Sequence, residues 1–214
     1  LQYNPLEKIL NEVIDFEELH KLNPPKLFVC ATNVKTCEPR IFGHEEITAK
    51  TILASACLPY MYDAVEINGE YFWDGGFSGN PIIQPLVDNT IGTEDILLVQ
   101  INPKNIKNIP EKIEEIKDRI NEISFNSSLI LELKLIQFKQ SLIEKGITLD
   151  GDLKPVFLHN ISAESELGDL NLSSKLNTSW DFMMYLKDAG YKACDKWLET
   201  NFEHIGNKNT LDLK

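Results

Sequence analysis

The sequence predicts an α/β fold: a layered, mostly parallel sheet with flanking helices, followed by a helical extension. Three observations carry this. Leu27-Phe28-Val29-Cys30-Ala31-Thr32 and Ile96-Leu97-Leu98-Val99-Gln100-Ile101 are short apolar runs without periodicity, as expected of strands covered on both faces. Helical segments separate them. After Pro110 the character changes, and Ile113, Ile116, Ile120 and Ile123 recur at spacings of three and four with charged residues between them. The expected division is a layered domain over residues 1–105 and a mainly helical extension packed on it over 106–214.

The elements follow in order. Leu6–Leu10 and Val13–Leu19 read as short amphipathic turns, ended by Asn23-Pro24-Pro25. Leu27–Thr32 is the first buried strand, and Arg40-Ile41-Phe42 an edge strand. Thr48 caps a helix through Ala49, Ile52, Leu53, Ala56 and Cys57, which Pro59 stops. Val65-Glu66-Ile67 and Glu70-Tyr71-Phe72-Trp73 flank Asn68-Gly69, a strong hairpin signal. Asn80-Pro81 is expected to cap and open a short helix to about Val87. Asp95 introduces the second buried strand. Leu129 to Ile143 is apolar on more than one face and predicts a helix between two partners, closed by Gly146. Val156-Phe157-Leu158 fits one more strand. A final helix runs from Thr178 or Ser179 to about Phe202, with Met183, Leu186, Ala193 and Trp197 along one stripe.

Composition narrows the function classes. With 43% hydrophobic and 25% charged residues among 214, the chain is a globular protein, neither disordered nor fibrous. No apolar run approaches the roughly 20 residues needed to cross a bilayer. A net charge of −12 argues against nucleic acid as a partner and against bulk attraction to anionic membranes. Four cysteines (Cys30, Cys37, Cys57, Cys194) have no CxxC spacing, so neither a zinc site nor a disulfide framework is expected, and a cytoplasmic location fits. The first residue is Leu1, which fits a piece of a longer protein.

Asp74-Gly75-Gly76 is the leading candidate for chemistry. A strand ending in aspartate and two glycines puts a carboxylate at a sheet edge. The glycines are expected to turn the backbone away with positive φ and leave room for another group. Such an aspartate can act as a general base or orient a nucleophile; taken alone, it is also an ordinary turn after a hairpin arm. His44 with Glu45 and Glu46 has the residue types of a metal cluster, but a solvated loop and helix entry is the better reading. His159 has no acid or nucleophile at a spacing that implicates it. The Met183-Met184 pair with Trp180 and Phe182 reads as core packing rather than an acyl-chain site. The Ile113–Ile123 stripe, with its alternating charges, reads as a packed helix face.

Taken together, several separated segments resemble the patatin-like phospholipase family. They are Ala31-Thr32-Asn33, Ala54-Ser55-Ala56-Cys57-Leu58-Pro59, Tyr71-Phe72-Trp73-Asp74-Gly75-Gly76 and Asn80-Pro81-Ile82. Glu122–Leu129, Trp180-Asp181-Phe182, Asp188-Ala189-Gly190 and Trp197-Leu198 are similar to the helical C-terminal extension of a bacterial subgroup. The resemblance implies that residues 1–105 are the C-terminal half of such a domain. It implies lipid degradation by a Ser–Asp dyad that hydrolyses acyl esters without metal or organic cofactor. The family's aspartate falls on Asp74, with Gly75 and Gly76 as its setting. The implied partner is a lipid or acyl-ester substrate, with transient contact at a membrane surface.

The family's nucleophile sits in Gly-x-Ser-x-Gly on a sharp strand-to-helix turn, with an oxyanion hole from a glycine-rich loop. Neither motif occurs in these 214 residues. Gly76-Phe77-Ser78-Gly79-Asn80 has Asn80 where the second glycine belongs, and it follows the aspartate motif instead of preceding it. No nucleophile is therefore expected in this chain. The serine and oxyanion loop are expected upstream of Leu1, and the chain alone is expected to be inactive. The alternative is a non-catalytic lipid- or protein-binding module of the same fold.

Overall fold

A computed structural model describes residues 4–22, 25–59, 61–87, 94–106, 108–147, 155–162, 164–167, 170, 174 and 177–211. The chain divides into two units, Leu1–Pro85 and Leu86–Lys214. Strand β5 thus falls in the second unit, about ten residues inside the span that the sequence assigns to the first domain.

In the first unit, helices α1 (Leu6–Val13) and α2 (Phe16–Lys21) precede strands β1 (Val29–Asn33) and β2 (Pro39–Phe42). Helix α3 (Ala49–Ser55) follows, then β3 (Val65–Ile67) and β4 (Glu70–Asp74). The strands form one sheet in the order β2-β1-β4-β3, and every pairing is antiparallel. This corrects the mostly parallel sheet expected around Leu27–Thr32. The reason is the brevity of the connection: β1 pairs Thr32 with Pro39, leaving only a tight loop. A parallel neighbour needs a crossover of about a dozen residues. Asn33 Oδ1 closes that loop by accepting from the N–H groups of Lys35 (3.0 Å) and Thr36 (3.3 Å). Asn68 (φ 53°) and Gly69 (φ 84°) join β3 to β4 with the two positive φ values that a two-residue type I′ hairpin needs.

Thr48 caps α3 as its sequence predicts. Its hydroxyl accepts from Thr51 N–H (3.2 Å), and its own N–H donates to Thr51 Oγ1 (2.8 Å). Helix α3 ends at Ser55, four residues before Pro59. It lies against β1, β3 and β4, around a core of Ala31, Phe42, Ile47, Ala54 and Phe72. Phe42 and Phe72 meet edge to face at 5.7 Å, a geometry that contributes about 1 kcal/mol beyond area burial. The peptide between Asn80 and Pro81 is cis, and the helix expected to open there, α4 (Gln84–Val87), begins three residues later.

In the second unit, β5 (Asp95–Gln100) pairs with β6 (Phe157–Ser162) in parallel, connected through the 32-residue helix α5 (Ile113–Glu144). Here the parallel expectation is met, with the crossover that it requires. Strand β5 is not covered on both faces: Ile96 and Leu98 are buried, but Leu97 is 48% and Val99 65% exposed. Helix α5 buries Leu129, Leu133 and Ile136 along one face while Leu131, Leu135 and Phe138 stay exposed, so it has one packed side rather than two. Ile113, Ile116, Ile120 and Ile123 are also exposed, contrary to the packed face expected of them. Helices α6 (Glu164–Leu167) and α7 (Trp180–Asn201) complete the unit, and α7 buries Ala189 and Ala193. Among the described residues, no helix is long and apolar enough to cross a membrane.

Candidate functional site

Asp74 is the last residue of β4, opposite Ala31 of β1. Its backbone is held on both sides: its N–H donates to the Cys57 carbonyl (2.8 Å), and its carbonyl accepts from Thr32 Oγ1 (2.8 Å). The side chain is half-buried, and Oδ1 accepts from Gly76 N–H at 2.7 Å. This bond caps a single 3-10 turn over Gly75–Phe77, with Asp74 as its N-cap.

The two glycines do not have the positive φ expected of them; they lie in, and share the handedness of, that turn. What Gly75 supplies is room. A Cβ built on it would stand 2.1 Å from the Cys30 carbonyl oxygen, so β1 packs where any side chain would be. The close approach between turn and strand sets the position of the Asp74 carboxylate.

Around this turn the structure places a hydroxyl pair that sequence reasoning missed. Thr32 Oγ1 lies 2.8 Å from Ser78 Oγ, and Ser78 Oγ also reaches the Gly75 carbonyl at 3.4 Å. Thr32 thus ties the strand end to the aspartate turn, a role hinted at by its place in the Ala31-Thr32-Asn33 segment. Cys57 is buried with its Sγ donating to the Asp63 carbonyl (3.2 Å). Burial pushes its thiol up, with the Asp74 and Asp63 charges adding to this against a backbone N–H bond from Val65, so the group stays protonated and unreactive. None of the four cysteines forms a disulfide.

The metal reading of His44 finds no support: among the described residues no three His, Cys, Asp or Glu side chains converge. His44 Nε2 instead bonds the Leu22 carbonyl (3.1 Å), and Glu46 pairs with Arg40.

His159 does find an acid and a hydroxyl, far apart in sequence. Its Nε2 lies 2.8 Å from Asp95 Oδ1 and its Nδ1 2.9 Å from Thr210 Oγ1. A carboxylate only accepts, so the ring donates through Nε2. The order carboxylate, imidazole, hydroxyl is that of a nucleophile relay. His159, however, is 1% exposed, and its neighbours explain it as a clamp. Gly206 N–H donates to the same Asp95 Oδ1 (2.8 Å), Asn209 Oδ1 accepts from Leu158 N–H (2.7 Å), and Thr210 and Leu211 N–H both reach the Leu158 carbonyl.

Burial raises the Asp95 carboxyl, but the Gly206 N–H and the His159 ring outweigh this and hold it below the usual carboxylate value. A carboxyl held low stabilises the fold above its unfolded pKa of about 3.9, and that contribution is lost as pH falls through the lower folded value. Protection of the Thr210 and Leu211 amides from hydrogen exchange is therefore expected to fall over that acid range. In Asp95→Asn, the amides should already be less protected at neutral pH, with no comparable acid step. An unchanged step in the variant would refute the clamp.

The site thus gathers Asp74, Gly75, Gly76, Thr32 and Ser78 at one end of a four-stranded sheet. No curated protein matches the chain. The family model of the patatin-like phospholipases matches residues 2–87, the stretch that contains this whole constellation.

Proposed function

We propose that residues 1–105 are the C-terminal half of a patatin-like catalytic domain and that Asp74 is the aspartate of its Ser–Asp dyad. The observation that carries the reading is the family match over residues 2–87 together with Asp74 at the end of β4, its carboxylate steadied by Gly76 N–H. In this reading a serine from outside these 214 residues attacks the acyl carbonyl of a lipid ester. Asp74 accepts the hydroxyl proton as the serine–acyl bond forms. The proton passes to the departing alkoxide, and the alcohol leaves. Water then attacks the acyl-serine, Asp74 takes its proton, and the carboxylic acid is released as the serine is re-protonated. A carboxylate can serve here because one Asp74 oxygen is engaged with the turn, which fixes the direction of the group. No metal or organic cofactor takes part, and the substrate meets the protein at a membrane surface. The helical remainder, 106–214, is the extension of a bacterial-type subgroup.

A second reading, a non-catalytic lipid- or protein-binding module, is favoured by one observation: Gly-x-Ser-x-Gly does not occur in these residues. A fluorophosphonate probe separates the two. The protein as its own cell makes it is expected to take up one probe equivalent at a serine and to lose ester hydrolysis in step. The 214-residue chain alone is expected to stay unlabelled. No labelling of the natural protein would favour the binding module. Turnover by the 214 residues that Ser78→Ala removes would overturn the assignment of the nucleophile.

A further inference from the structure

Helix α5 has two apolar sides, and only one of them is covered. Leu129, Leu133 and Ile136 form the buried side. At about 100° per residue, Ile120 and Phe138 fall on one line along the helix, opposite that side. Ile113, Ile116, Ile123, Leu131 and Leu135 lie within about 60° of the line. All seven are between 40% and 72% exposed. The stripe from Ile113 to Phe138 is about 38 Å long. Contiguous exposed apolar surface on this scale marks an interaction face.

The charges of α5 indicate what covers it. All four of its cations, Lys117, Arg119, Lys134 and Lys139, lie within about 100° of the same line, and Lys112 at the N-cap falls there too. None of its six acids does; the nearest, Glu114, Glu132 and Glu144, stand about 120° round. Arg119 is held by Glu122 (2.9 Å), whereas Lys117 and Lys134 are exposed and form no ion pair among the described residues. An aliphatic stripe with cations on both sides therefore stands out from a chain of net charge −12. A second copy of the stripe would set cations against cations. A protein groove is gripped by aromatic anchors, and the stripe has only Phe138. An anionic bilayer fits both features: acyl chains take the stripe, and the lysine stems reach sideways to headgroup phosphates. We propose that α5 lies flat on membranes that contain anionic phospholipid, with its Ile113–Phe138 face sunk into the interface. The charge of the whole chain opposes bulk attraction, so the attraction is confined to this helix and weakens with salt. The surface gives the membrane contact of the reading above a place without resting on that reading. It uses neither Asp74 nor a serine, and its test reads binding rather than turnover, so each can fail without the other.

Co-sedimentation of the 214-residue chain with mixed phosphatidylglycerol–phosphatidylcholine vesicles, against phosphatidylcholine alone, tests this. Binding to the anionic vesicles is expected to be at least about tenfold the stronger, and to fall with added salt. Ile120→Gln/Leu131→Gln should weaken it about tenfold by removing apolar area. Lys117→Gln/Lys134→Gln should weaken it about tenfold on anionic vesicles and change little on phosphatidylcholine. All four positions are exposed and glutamine is a good helix former, so both variants should keep the parent's far-UV circular dichroism. Lys192→Gln/Lys196→Gln makes the same charge change at exposed positions of α7 and should bind as the parent does. Equal binding to the two kinds of vesicle, binding undiminished in either α5 variant, or an equal loss in the α7 variant would overturn the proposal. So would a chain that binds no vesicle. If that chain sediments as a dimer that Ile120→Gln/Leu131→Gln splits, the occupant is a second copy; if it is a monomer, the stripe is left to another protein.

Discussion

Under the proposed dyad, Asp74→Asn made in the protein as its own cell produces it is expected to lower ester hydrolysis by about a thousandfold. That lies within the roughly 10²–10⁴ that a positioned general base contributes. The same variant should shift the unfolding free energy by only about 0.5 kcal/mol, because asparagine matches aspartate as an N-cap. The amide oxygen of the new side chain can still accept from Gly76 N–H, the bond that caps the Gly75–Phe77 turn. The backbone of residue 74 stays tied to Cys57 and Thr32 through its own N–H and carbonyl, which the substitution does not touch. What the amide loses is the capacity to take a proton. The two roles of this side chain, capping and proton acceptance, therefore separate in one substitution. If Asp74 only caps the turn, Asp74→Asn retains full turnover, and the catalytic assignment fails. Asp74→Ala removes both roles, and its added loss of stability would measure the cap alone.

How much of this was legible in the sequence depends on how far apart the interacting residues lie. The Asn68-Gly69 hairpin and the Thr48 cap are contained within a few residues, and both stand as expected. The strand runs at Leu27–Thr32 and Ile96–Ile101 were also visible, but their partners were not. An apolar run says that a strand is buried, whereas direction follows from the connection, and the short loop between Thr32 and Pro39 makes that pair antiparallel. The exposure of Leu97 and Val99 likewise escaped, since hydrophobicity alone cannot say which face has a neighbour. At the candidate site, Asp74 stands out in the sequence because Asp74-Gly75-Gly76 is contiguous. Thr32 and Ser78 meet across 46 positions, and Asp95, His159 and Thr210 across 64 and 51, with no local pattern to announce them. For the two glycines, local sequence suggests freedom of φ, which the turn does not use. What matters at Gly75 is the absence of a Cβ, which only the packing of a distant strand reveals.

Gly75→Ala is the sharpest test of that packing. The new Cβ would lie 2.1 Å from the Cys30 carbonyl oxygen, 2.6 Å from its carbon and 3.0 Å from Cys30 Cβ. Two of these atoms are backbone, so no rotamer change relieves the clash. Nor can the strand yield easily, because β1 is an interior strand with β2 bonded on one side and β4 on the other. Overpacking a core typically costs about 1–3 kcal/mol, and a contact against fixed backbone belongs at the upper end. About 3 kcal/mol is therefore expected, a large fraction of the 5–15 kcal/mol that holds a domain together. Gly190→Ala is the matching control with the opposite sign. Residue 190 lies inside α7 with nothing within 4 Å of its Cβ position, and alanine there should stabilise by about 0.5–1 kcal/mol. Urea unfolding of the two variants, followed by far-UV circular dichroism, would read both shifts. Since the Gly75–Phe77 turn is capped by Asp74, whatever movement rescues Gly75→Ala must also displace the carboxylate or its cap. A Gly75→Ala protein as stable as the parent would mean that β1 and the turn are not in close contact. The close approach of Gly75 to β1 would then not account for where the Asp74 side chain stands.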